Sequence, residues 1–253
     1  LDTVQRDTVP PDAFSVDWDA IDTWGYHGKT ERDVHLKLHM LGRHGEVALA
    51  RGYPPNKPGH PEWLQYVLVR NQGEGPIEST FVSVLDPYEN TPILKRVERR
   101  NMGPGPAVGL EIETTNGATD YVCTATGSLN DQPQTLALGE TLTVRGDYAF
   151  VRFRDDILTR LLLVNATSFN GRGVEVVLDR AAWRGSVVQM DRQMDEDNTI
   201  TVTPALPSDG TLDGEWIIID NDGERNAAYQ IARVRPAGDE RSLVSLGNVT
   251  FIR

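Results

Sequence analysis

The chain has 253 residues, a net charge of −12 and a hydrophobic fraction of 39%, which is enough apolar material for a sizeable core and too much for a disordered chain. No apolar run approaches the ~18 residues of a membrane helix. An acidic surface repels nucleic acid and anionic membranes, and it admits a polyanionic ligand only where cations gather locally, as they do at Lys95, Arg96, Arg99 and Arg100.

In chain order, residues 1–30 carry Pro10-Pro11 and several acids and read as an extended connector, with an edge strand over 12–18. Residues 34–40 alternate apolar and polar strictly, the period of a half-buried strand. Strands follow at 66–70 and 79–85. A strand over 92–100 puts Lys95, Val97 and Arg99 on one face and Arg96, Glu98 and Arg100 on the other. Later apolar runs at 149–153, 160–164, 174–178, 199–203, 215–219 and 248–252 read the same way. Asn116-Gly117, Asn170-Gly171, Asp209-Gly210, Asp213-Gly214 and Asp222-Gly223 supply positive-φ turn positions between them. With 23 Gly and 15 Pro, few windows sustain a long helix. The expected fold is all-β: one large antiparallel β-sandwich of many short strands over 31–253, a super-sandwich.

His35 and His39 are the first candidates for chemistry. On a helix, that spacing shares a metal. On a strand, four residues span roughly 13 Å at ~3.3 Å each, against the ~4 Å that two ligands of one ion require. The spacing therefore supports neither zinc nor calcium, and no cofactor is expected. His35, Lys37 and His39 read instead as a solvated or ligand-facing stripe. Tyr53 and Trp63 flank a proline-rich loop at 52–59 and are candidates for stacking on sugar rings, with packing as the plainer alternative. Trp216, inside an apolar strand, reads as core. Lys95, Arg96 and Arg99 suit uronate carboxylates or sulfates through bidentate contacts, and the plainer alternative is pairing with the chain's own acids. Cys123 lies in a strand-like context and reads as a buried thiol. No nucleophile elbow, phosphate loop, dinucleotide glycine pattern or His-Glu-x-x-His motif is present.

Three segments together resemble the C-terminal β region of heparinase II/III-like polysaccharide lyases. The first is Gly52-Tyr53-Pro54-Pro55 with Leu68-Val69-Arg70-Asn71. The second runs from Ser79-Thr80-Phe81-Val82 through Leu85-Asp86-Pro87-Tyr88 to Ile93-Leu94-Lys95-Arg96-Val97, with Asp86 where the family has Glu. The third is Leu212-Asp213-Gly214, Ile217 to Ile219, Asn221 to Ile231 and Leu246-Gly247-Asn248.

The resemblance implies an α/α-toroid upstream in the same protein, with this chain as its supporting sandwich. It also implies cleavage of uronic-acid polysaccharide by β-elimination and a secreted or periplasmic location. It places the catalytic Tyr and His outside this chain, so no catalytic residue is assigned. A stand-alone carbohydrate-binding module is the alternative. The expected partners are an acidic polysaccharide and the toroid, with no nucleic acid and no membrane.

Overall fold

The computed structural model describes residues 2–22, 25, 32–102, 107–126, 134–138, 142–191, 197–221, 223 and 226–248. Among them are 21 strands and no helix. The chain begins with β1 (Asp2–Asp7), β2 (Ala13–Asp19), β3 (Val34–Leu41), β4 (Glu46–Gly52), β5 (Leu64–Arg70), β6 (Val82–Glu89) and β7 (Leu94–Arg100). It continues with β8 (Ala107–Thr114), β9 (Ala118–Ala125), β10 (Thr135–Leu138), β11 (Leu142–Arg145), β12 (Tyr148–Arg154), β13 (Ile157–Val164), β14 (Ser168–Gly171) and β15 (Val174–Val177). The last described strands are β16 (Ser186–Met190), β17 (Thr199–Thr203), β18 (Trp216–Ile219), β19 (Ala227–Gln230), β20 (Arg233–Pro236) and β21 (Ser242–Ser245). The strands pair antiparallel throughout, so the all-β antiparallel expectation holds.

The chain divides into two compact units, residues 1–181 and 182–253. This boundary lies inside the span the sequence reading took as one domain. In the first unit the sheets run β1-β4-β5, β2-β3-β6, β13-β12-β9-β8-β7 and β10-β11-β14-β15. The five-stranded and four-stranded sheets face each other across the main core. Tyr121, Cys123, Ala149, Val151 and Phe153 from one side meet Leu136, Leu138, Leu142, Val144 and Phe169 from the other. Each fully buried Phe contributes roughly 1.5–3 kcal/mol of transfer free energy. Strand alternation turns Val108, Leu110 and Ile112 of β8 to the opposite face, where they cluster with Leu41 of β3 and Val82 of β6. In the second unit, β16-β17-β21-β20 and the β18-β19 hairpin bury Ile200, Val202, Val234 and Val244.

Several expectations need correction. Residues 2–7 form a strand, β1, paired with β4, where a connector was expected, while the edge strand expected over 12–18 is β2, paired with β3. The strand expected at 79–85 runs from Val82 to Glu89, because it pairs along the whole of β3 from Leu41 opposite Val82 to Val34 opposite Glu89. Pro87 is tolerated there because β6 lies at the edge of its sheet. Asn170-Gly171 belongs to β14, and the turn falls at Arg172 (φ 47) and Gly173 (φ 77). Both central residues there have positive φ, as the tight hairpin turn that matches strand twist requires. Trp216 is not core: it is 63% exposed, and its neighbours Ile217 and Ile219 pack inward instead. The strand expected at 248–252 lies almost wholly outside the described residues.

Candidate functional site

The basic cluster is built on β7 and β8. The two strands pair from Leu94 opposite Thr114 to Arg100 opposite Gly109, with a bulge between Leu94 and Arg96. The bulge takes Lys95 out of simple alternation. Arg96 bonds Glu98 at 2.6 Å and Glu111 at 3.3 Å, and it also bonds Glu113. Arg100 reaches Glu98 at 3.0 Å and Glu111 at 2.9 Å, and Lys95 reaches Glu113 at 3.5 Å. These bonds raise the pKa of both arginines, led by Glu113 for Arg96 and Glu111 for Arg100. Three cations are thus matched by three carboxylates, the plainer of the two sequence readings for Lys95 and Arg96.

Arg99 is different. It alternates to the other face of β7 and forms no ion pair among the described residues. It lines an open depression of about 460 Å³ whose other charged lining residues are Arg100 and the carboxylates of Asp12 and Glu98. Gly42 lies against the guanidinium, 2.9 Å from where a Cβ would stand, and its φ of +98° favours glycine there. Asp12, at the rim, lies 3.4 Å from Arg43.

His35 and His39 project from one face of β3 into the sheet β2-β3-β6. Asp19 and Tyr88 lie opposite His35, Asp17 and Asp86 opposite Lys37, and Ser15 and Val84 opposite His39. His35 Nδ1 lies 3.1 Å from Asp17 and Nε2 3.0 Å from Asp33. The carboxylates hold its pKa above the usual value, led by Asp33. Tyr88 donates to Asp17 at 2.5 Å, which pushes the phenol up to about 12 and holds the carboxyl below its usual range. Asp86, in the segment that carries the resemblance, is buried and accepts the Leu94 N–H at 3.1 Å.

His39 Nε2 is buried without a hydrogen-bond partner, and desolvation lowers its pKa. Along the stripe expected to be solvated or ligand-facing, His35, Lys37 and His39 are all half-buried. His35 and Tyr88 are also poorly placed to remove a proton from a substrate, because carboxylates already hold both imidazole nitrogens and the hydroxyl.

Tyr53 and Trp63 bracket the β4–β5 loop. Both are exposed, and the guanidinium of Arg51 lies 4.2 Å from the Trp63 ring centroid. Nothing in a single strand marks Arg51 as a site residue. Asp17 is unmarked for the same reason: the partners that give it meaning lie on β3 and β6. Cys123 is buried, and desolvation pushes its thiol up to about 11. No group of three or more His, Cys, Asp or Glu among the described residues is arranged to hold a metal. Comparison of the chain with protein-family models, curated proteins and solved structures finds no match.

Proposed function

We propose that this chain is a glycan-facing β-sandwich of a protein that cleaves uronic-acid polysaccharide by β-elimination, with the proton-transfer groups in a toroid outside this chain. Arg99 is the observation that carries the reading. In an acidic chain whose neighbouring cations are paired with Glu98, Glu111 and Glu113, it forms no ion pair among the described residues and faces an open depression. A guanidinium in that position suits a carboxylate or sulfate, with two parallel N–H bonds to one acid group. The order of the three resembling segments supports the lyase family. The occupied nitrogens and hydroxyl of His35 and Tyr88 support catalysis lying elsewhere. A secreted or periplasmic location goes with this reading.

Calorimetric titration with uronate oligomers and their carboxyl-reduced counterparts tests it. The chain binds the acidic oligomers, R99A weakens that binding at least tenfold, and R96A leaves it nearly unchanged. No unsaturated uronate absorbance appears on incubation with polymer. Silence of the unmodified chain towards every uronate polymer removes the proposal.

A further inference from the structure

Three exposed residues, Arg51, Tyr53 and Trp63, lie at one end of the β4–β5 hairpin. The strands pair with Arg51 opposite Gln65 and Gly52 opposite Leu64. Tyr53 therefore leaves β4 where Trp63 enters β5. Tyr53 is 67% exposed and Trp63 39%. Arg51 has no carboxylate partner among the described residues; its contact is the Trp63 ring, 4.2 Å away.

The five N–H donors of a guanidinium lie in one plane. The ring contact restrains Arg51 without occupying it with a carboxylate, and a restrained side chain loses less entropy on binding an anion. Gly52, between Arg51 and Tyr53, has a further role. A Cβ on it would lie 2.5 Å from Cε2 of Tyr66. The Tyr66 ring packs directly on the backbone there, bracing the strand end that carries Arg51 and Tyr53. Pro54, Pro55, Pro58 and Pro61 restrict the loop between the aromatics.

We infer that Arg51, Tyr53 and Trp63 form a second subsite on this chain, which takes one uronate unit of an acidic polysaccharide. The inference rests on the acidic-polysaccharide reading above. The apolar face of the pyranose ring lies on Tyr53, and its carboxylate lies against the outward edge of Arg51. The aromatic face supplies contact area that does not depend on charge. The guanidinium supplies the preference for the acid.

The two roles predict different losses, which is how the subsite is tested. Calorimetry of the full chain is run with uronate hexamers and with the same hexamers carboxyl-reduced. Y53A weakens both about tenfold. R51A weakens the acidic hexamer at least tenfold and leaves the reduced one nearly unchanged, and R51K does not restore the loss because an ammonium lacks the planar fork. All three residues are exposed, and circular dichroism verifies that the variants fold. If Y53A and R51A bind both hexamers as the unmodified chain does, while R99A does not, the subsite is overturned and the proposed function stands. If R99A binds normally while R51A and Y53A are weakened, the subsite stands and the depression at Arg99 is not the binding site. If the unmodified chain binds neither hexamer, both fail.

Discussion

Tyr88 and His35 lie face to face, with ring centroids 4.8 Å apart and planes 2° from parallel, and both hold the carboxylate of Asp17. Three strands meet in that arrangement: Asp17 comes from β2, His35 from β3 and Tyr88 from β6. It ties the edge strands of the sheet to the central one by side chains as well as by the backbone ladder.

The charge state of His35 follows from this geometry. Its bond to Asp33, more than that to Asp17, holds its pKa above the ordinary value of 6.5. A base whose pKa is raised by folding stabilises the fold fully below its unfolded value and loses that contribution as pH rises through the raised value. Proton NMR titration should find His35 titrating above 6.5, and D33N should lower the midpoint. A midpoint at or below 6.5 in the unmodified chain contradicts the bonded geometry.

His44 has the opposite sign. Its ring stacks on Phe81 at 6.0 Å and meets Phe14 edge-on at 6.1 Å, and both ring nitrogens are buried without partners. Desolvation lowers its pKa from 6.5. A base with a depressed pKa contributes its stability above the unfolded value and loses it as pH falls. H44F should raise stability at neutral pH by about 1 kcal/mol, because it removes unsatisfied polar atoms. It should also flatten the loss of stability below pH 6.5. Urea midpoints of both proteins from pH 7 to pH 5 check this, and an H44F slope as steep as the original assigns the acid sensitivity elsewhere.

Cys123 sits in the main core with its thiol pushed up to about 11 by burial. The thiolate is the reactive form, so at pH 8 the folded chain should react with a thiol reagent only as fast as it opens. Unfolding in urea should restore full reactivity. Rapid labelling of the native chain would show that the two sheets do not pack as described.

Two ion pairs should separate by burial. Arg152 holds Asp120 through two bonds, at 2.6 and 2.7 Å, and the Asp120 side chain is only 8% exposed. D120A should cost about 1.5–3 kcal/mol, the range for hydrogen bonds to a charged group. Glu98 lies in the exposed network with Arg96 and Arg100, where solvent screens each pair. E98A should therefore fall within the scatter of the same urea measurement. Equal effects for the two variants would remove burial as the deciding factor.

By itself, the sequence determined the class of fold. Strict alternation over residues 34–40 and the recurrent turn residues reflect local backbone geometry, and a local pattern can specify a strand without knowing its partner. The strands β4, β8, β10, β11 and β14 were absent from that reading, and length alone does not explain it, since β15 and β18 are as short as β10 and were read. The boundary at 181/182 also went unseen, since it is defined by contacts and not by composition. The candidate sites depended still more on tertiary structure. The sequence displayed four neighbouring cations, but only the pairing of β7 with β8 decided which three meet carboxylates and which one is left facing an open depression. Arg51 likewise became a candidate only when β4 and β5 brought it over Trp63. Charge is a property of a residue, whereas its neutralisation depends on neighbours that strand pairing brings from distant positions in the chain.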